Sequence, residues 1–232
     1  MSRITAPIAA AVLVSLAPVA AQANLSLPTN FLVANSVQAF PQDNLVAFDL
    51  VKLTAAPRGT GYVAQAGTPG ETNGTVTPVA VGFPITKIVI GSKLNIVSGT
   101  ASGSALYFSR DDIETGNTYG LTLSNFTIDY VNQKVLADTT PAGGVTSKMT
   151  PIYNFTVQTP LALKYKFPMS FTLHEVLGNL KLTEQTKAIF KSALAIPEFG
   201  EFALEYEYGT LTQDVTTTLR SKPVSTTPYV AK

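Results

Sequence analysis

His174, in the stretch "PMSFTLHEVLGN", is the only histidine of the chain, and there is no cysteine. Most nucleophilic catalysis needs a base beside the nucleophile, usually an imidazole backed by a carboxylate. His174 alone can supply that base, and no G-x-S-x-G elbow or S-x-x-K pair accompanies it. Cysteine chemistry is excluded, and one histidine cannot furnish a His/Cys zinc set. Carboxylates are the remaining reactive groups. Glu198, Glu201, Glu205 and Glu207 crowd one segment, and a glycosidase needs only two acids across a cleft. Alternation puts most of that group on one solvated strand face, so no catalytic residue is assigned and we expect no enzymatic activity. In "SRDDIETGN", Asp111, Asp112, Glu114 and Asn117 form an oxygen-rich turn. Such a turn can hold calcium, although the EF-hand spacing is absent and an ordinary acidic turn has the same composition.

The elements that would position these residues read as strands. Leu121 and Leu123 alternate with Thr122 and Ser124; the phase slips at Asn125; Phe126, Ile128 and Tyr130 then alternate with Thr127 and Asp129. A one-residue slip sends later side chains to the opposite face unless a bulge absorbs it, which predicts a bulge at Ser124-Asn125. "VNQK" turns the chain into "VLAD", giving a hairpin. Met169, Phe171 and Leu173 share one phase, while Ser170, Thr172 and His174 share the wetter one. His174 is thus expected on the outer face of a strand.

"NLVAFDLVKL" reads as a further short strand, and Phe202, Leu204, Tyr206 and Tyr208 as one face of another. One helix stands out at about 184–195. Thr183 caps it, Glu184 suits its N-terminal dipole, and Leu182, Ile189, Phe190, Ala193 and Leu194 form its apolar stripe. Residues 57–78 hold Gly59, Gly61, Gly67, Gly70 and Gly74 and read as a turn-rich loop, either decoration or a lid. Tyr62 and Tyr107 are the candidate ligand-contacting residues near such a lid.

Together these segments predict an all-β fold, an antiparallel β-sandwich of jelly-roll type with one short C-terminal α-helix. Residues 24–220 form one domain, preceded by a signal peptide at 1–23 and followed by a Thr/Pro-rich tail at 221–232. The leader reading rests on Arg3, the run "IAAAVLVSLAPVAA" and a small-x-small ending at Ala21-Gln22-Ala23. It implies a secreted protein, periplasmic or at the surface of a Gram-negative bacterium. Sixteen basic residues against fifteen acidic ones leave no basic patch, so nucleic acid is not an expected partner. No later apolar run reaches the about 18 residues of a membrane-spanning helix.

The hairpin "LTLSNFTIDYVNQKVLAD", followed by "LKLTEQTKAIFKSAL" and "YGTLTQDV", resembles a group of uncharacterised secreted proteobacterial proteins. More distantly the hairpin is similar to the haem-binding HtaA domain, a β-sandwich with a short C-terminal helix. That similarity implies haem held by a tyrosine supported by a histidine, and it singles out no tyrosine among the nine present. Two functions stay open at this stage. One is a structural surface or matrix component that associates with itself through strand edges, its tail along a neighbour. The other is a binding module for haem or a glycan.

Overall fold

The computed structural model describes residues 24–92, 95–112, 115–166 and 170–231. Residues 1–23, the expected leader, and Glu114 lie outside them. In chain order the elements are β1 (Leu25–Pro28), β2 (Leu32–Ala39), α1 (Gln42–Leu50), β3 (Leu53–Gly59), β4 (Tyr62–Gln65), β5 (Ala80–Pro84) and β6 (Lys87–Ile90). They continue with β7 (Ile96–Asp111), β8 (Thr118–Asp129), β9 (Lys134–Pro141), β10 (Ser147–Lys166), β11 (Ser170–Leu182), α2 (Glu184–Ala193), a 3-10 helix (Glu198–Leu204) and β12 (Thr210–Leu219). Among the described residues no helix is long and apolar enough to cross a membrane.

The all-β, antiparallel expectation holds. The twelve strands make one curled sheet, in the order β1-β6-β7-β8-β9-β10-β11-β12-β2-β5-β4, with β3 also on β7. From β6 to β12 each strand lies beside the next in sequence, a meander rather than the Greek-key order of a jelly roll. The curl is completed at residues 80–90. Their first half pairs with β2, and their second half pairs with β1 on one side and β7 on the other.

Inside the curl lies one large core. Phe48 of α1, Phe108 of β7, Phe190 of α2 and Tyr208 are all fully buried. Their rings meet at centroid distances of 4.9 to 6.3 Å, in the tilted and edge-on arrangements that aromatic quadrupoles favour. Rings from two helices, from β7 and from the segment leading into β12 thus pack together in the core. Thr183 caps α2 as expected, its hydroxyl accepting from the Thr186 amide at 3.2 Å.

Two expected strands are helical instead. Residues 42–50 form α1, because Asn44, Ala47, Phe48 and Val51 repeat at helical spacing and all face inward. Residues 198–204 form the 3-10 helix. Gly200 and Ala203, three apart, are buried, and the acids between and beyond them pair with α2 through Glu201–Lys191 and Glu205–Lys187. The apparent alternation of Phe202, Tyr206 and Tyr208 therefore carries no strand: Phe202 and Tyr206 are exposed while Tyr208 is buried.

Asn44 is fully buried, and neither its side-chain oxygen nor its nitrogen finds a partner among the described residues. A buried unsatisfied amide costs about 1–3 kcal/mol. Leucine has the same number and branching of heavy atoms. We therefore expect Asn44→Leu to raise the thermal midpoint by about 2–4 °C or more in a calorimetric scan; a lower midpoint would show that the amide is bonded in solution.

Candidate functional site

His174 lies on the exposed face of β11, as the alternation implied. Its Nδ1 is 2.7 Å from Oδ1 of Asp214, the residue opposite it on β12. Its other cross-strand partner is Ala162 of β10. This His–Asp pair sits on an open sheet face, and among the described residues no hydroxyl is bonded to it.

The acidic turn is held together by its own bonds. Asp111 Oδ1 accepts from the Thr118 hydroxyl at 2.8 Å, and the Asp112 amide donates to the Asn117 carbonyl at 2.9 Å. No three acidic or histidine side chains converge on a metal-sized point among the described residues. The crowded glutamates are spent on structure too: Glu207 accepts the Asn179 amide at 2.8 Å, and Glu201 and Glu205 hold α2.

Tyr62 and Tyr107 do the same thing at two separate places. Each ring lies over a glycine of the neighbouring strand. A Cβ on Gly82 would sit 2.2 Å from Tyr62, and one on Gly120 would sit 2.4 Å from Tyr107. Covering a strand glycine with an aromatic ring restores packing that the glycine lacks.

At Tyr107 a recess develops. The Arg58 guanidinium stacks on the Tyr107 ring, 4.1 Å from its centroid, a cation–π contact worth about 0.5–1 kcal/mol at an exposed site. Beside it opens a cleft of about 320 Å³. Thr122 and Thr140 line it, Gly143 and Gly144 belong to one wall, and Tyr229 and Val230 form another. Arg58 lines the cleft, and among the described residues its guanidinium makes no hydrogen bond.

Segment 221–231 supplies the Tyr229 wall, and it is bonded to its own chain. Val224 exchanges bonds with Asn30, donating to that residue's carbonyl at 2.9 Å. The decisive contact is Asn125, which sits at φ 56° in the bulge expected at Ser124-Asn125. Its Oδ1 accepts from the Tyr229 amide at 2.7 Å and from the Gly103 amide at 3.1 Å; its Nδ2 donates to the Tyr229 carbonyl and to Asp138, each at 3.0 Å. One side-chain amide thus pairs with Tyr229 as a strand backbone would. Gly103, at φ 78°, admits the segment, since a Cβ there would lie 2.9 Å from the Thr227 carbonyl.

No protein-family model matches this chain, and no curated protein matches it. Among solved structures it is similar to the crystal structure of the C-terminal domain of HtaA from Corynebacterium glutamicum. The TM-score is 0.45 at 11% identity, over 80% of this chain and 98% of that one. No residue role is transferred from that likeness. The tyrosine–histidine pair implied by the sequence resemblance is not assembled at the cleft, because His174 belongs to β11 and no residue of β11 lines it.

Much of the Gly-rich segment 57–78 has regular structure. Its first part is β3 and β4, and Pro69 and Val76 then bridge as a small hairpin. The hairpin is pinned to α1 by Asp49. That carboxylate accepts from the amides of Thr72 (2.7 Å), Asn73 (3.1 Å) and Thr75 (3.0 Å) and from the Thr75 hydroxyl (2.7 Å). Sequence reasoning passed over Asp49 because the segment around it was read as a strand.

Burial pushes the Asp49 carboxyl upward, but the Thr75 hydroxyl and the three amides outweigh it and hold it at about 2. A depressed carboxyl pKa stabilises the fold above the ordinary value of 3.8, and that support is lost as the pH falls through about 2. The amide shifts of Thr72, Asn73 and Thr75 should titrate together near that lower value; a common midpoint near 3.8 would show the cage to be open in solution.

The Asn125 clamp gives a second expectation. Asn125→Ala should free the Tyr229 segment while leaving the core intact. Amide exchange at Tyr229 should accelerate at least about tenfold, the effect expected of losing paired bonds of about 1 kcal/mol each. Unchanged protection would assign the docking to other contacts.

Proposed function

We propose that this chain is a non-enzymatic binding module of the cell exterior, and that its cleft holds a ring-sized ligand carrying a carboxylate, as in an acidic sugar. The observation that carries the reading is Arg58, its guanidinium carbon 4.1 Å from the centre of the Tyr107 ring in the lining of a cleft of about 320 Å³. That volume lies at the small end of ligand sites. A guanidinium fixed before binding loses less freedom when it forms a paired bond to a carboxylate. Tyr229 adds an aromatic surface, and Thr122 and Thr140 bring hydroxyls to the lining. Among the described residues no carboxylate or histidine side chain lines the cleft, which suits holding a ligand more than transforming it. The exterior location rests on the leader-like N-terminal sequence.

Self-association through strand edges has less support. The segment with which a neighbour's edge was to be paired is bonded to Asn30 and Asn125 of its own chain.

The test is an NMR titration read at the amides of Thr122, Gly143 and Val230, with glucuronate against glucose as the uncharged control. Glucuronate should bind about tenfold or more tighter, the worth of a charge-assisted pair, and Arg58→Gln should abolish the difference. Equal binding of the two sugars, or none at these amides, would overturn the reading. Haemin in a parallel absorbance titration examines the other ligand that the sequence resemblance raised.

A further inference from the structure

Of all the asparagines in the chain, Asn73 alone is followed by glycine, and the pair sits at the exposed tip of the 69–76 hairpin. In such a dipeptide the glycine nitrogen can attack the asparagine side-chain carbonyl, because no Cβ crowds the approach. Gly74 has φ 68°, and a Cβ built on it would meet nothing within 4 Å. The reaction needs only water. The Gly74 amide gives its proton to solvent, its nitrogen bonds to Cγ of Asn73, and the Cγ–Nδ2 bond breaks, the nitrogen leaving as ammonia once it takes a proton from water. Water then opens the five-membered imide at either carbonyl, leaving aspartate or isoaspartate at position 73.

The docked hairpin withholds both reacting groups. Asn73 Nδ2 donates to the Asp49 carbonyl at 2.6 Å and lies 3.4 Å from the Leu50 carbonyl, so the side chain is held on α1. The Gly74 amide donates to the Gly70 carbonyl at 3.1 Å, which ties up the proton it must lose. The Asp49 carboxylate secures the amides of Thr72, Asn73 and Thr75 around them. Attack therefore requires the hairpin to open locally.

The product fits the docked state worse than the asparagine does. Asp49 and Leu50 end α1, where carbonyls lack intrahelical partners and the helix dipole is negative. The Asn73 amide donates to them. A carboxylate in its place has no proton to give, brings negative charge to the negative end, and joins the Asp49 carboxylate that already accepts from the residue's own backbone amide. Isoaspartate also adds a carbon to the main chain, which displaces the amides that Asp49 gathers.

We infer that Asn73 is a site of spontaneous deamidation, held off while the hairpin is docked on α1, and that the product releases the hairpin irreversibly. The hairpin is thus a one-way latch. Each opening exposes the dipeptide to reaction, and a reacted hairpin does not dock again.

The experiment is peptide mapping by mass spectrometry after timed incubation of the protein in warm, mildly alkaline buffer, with a free peptide of residues 68–78 as reference. Asn73 should deamidate about tenfold or more slowly in the protein than in the peptide, since reaction waits on opening. Thr75→Val removes one of the four bonds to Asp49 and should speed the reaction in the protein about fivefold, the worth of one hydrogen bond. Asn73→Asp, read by amide exchange, should lose protection at Thr72 and Thr75 about tenfold or more while the β8 amides keep theirs. A protein rate equal to that of the peptide, an unchanged rate in Thr75→Val, or undiminished protection in Asn73→Asp would each overturn the inference. No ligand enters the measurement, so its outcome is independent of what the Arg58 cleft binds.

Discussion

The four hydrogen bonds of the Asn125 side chain fasten segment 221–231 to the neighbouring strands β7, β8 and β9. Asn125 is the residue at which β8 breaks its alternation, and turning its amide outward lets Leu121, Leu123, Phe126 and Ile128 all stay in the core. The same amide then finds the Gly103 backbone at the matching irregularity of β7, Asp138 on β9, and both backbone groups of Tyr229. An irregularity needed for packing has become an attachment point. The wall of the Arg58 cleft depends on it, since Tyr229 would have no fixed place without that pairing.

The interior shows a different compromise. Ser36, Gln213 and Glu175 occupy directly opposed positions on β2, β12 and β11, and all three are buried. Glu175 accepts the Tyr130 hydroxyl at 2.5 Å. Burial raises its carboxyl above the ordinary range despite that bond. The Ser36 hydroxyl and the Gln213 amide nitrogen have no partner among the described residues, and they border a cavity of about 30 Å³. That space is enough for about two waters, which would have polar groups to bond. A polar row across three strands of an otherwise apolar wall weakens the core locally and marks the register at which those strands align.

Much of this was readable from residue types and periodicity. The slip at Asn125, the Tyr130–Gln133 turn, the Thr183 cap and the outward face of His174 are local signals, and local physics decides them. The helical state of 42–50 was also present in the sequence, in the spacing of Asn44, Ala47, Phe48 and Val51, but a β-rich apolar run such as "NLVAFDLVKL" fits a strand as well when its partners are unknown. The 3-10 turn after Pro197 was hidden because its determinants are ion pairs to α2, contacts made across space. The functional candidates follow the same division. Tyr107 was named from its type, whereas Arg58, Tyr229 and Asp49 acquire meaning only once β3, β8, α1 and the 221–231 segment come together.

The seam between β2 and β12 joins the last strand of the meander to the N-terminal part of the chain, with the Thr216 hydroxyl reaching the Val33 carbonyl 183 positions away. Contacts so distant in sequence repay their loop-closure entropy late, and sheets built on them fold slowly compared with helical bundles of the same size. Until that seam zips, β2 and β12 present bare edges beside an open aromatic core. The period before closure is therefore when the chain is most exposed to aggregation, and the time spent in it is set by the search of β2 for β12 and not by any local step.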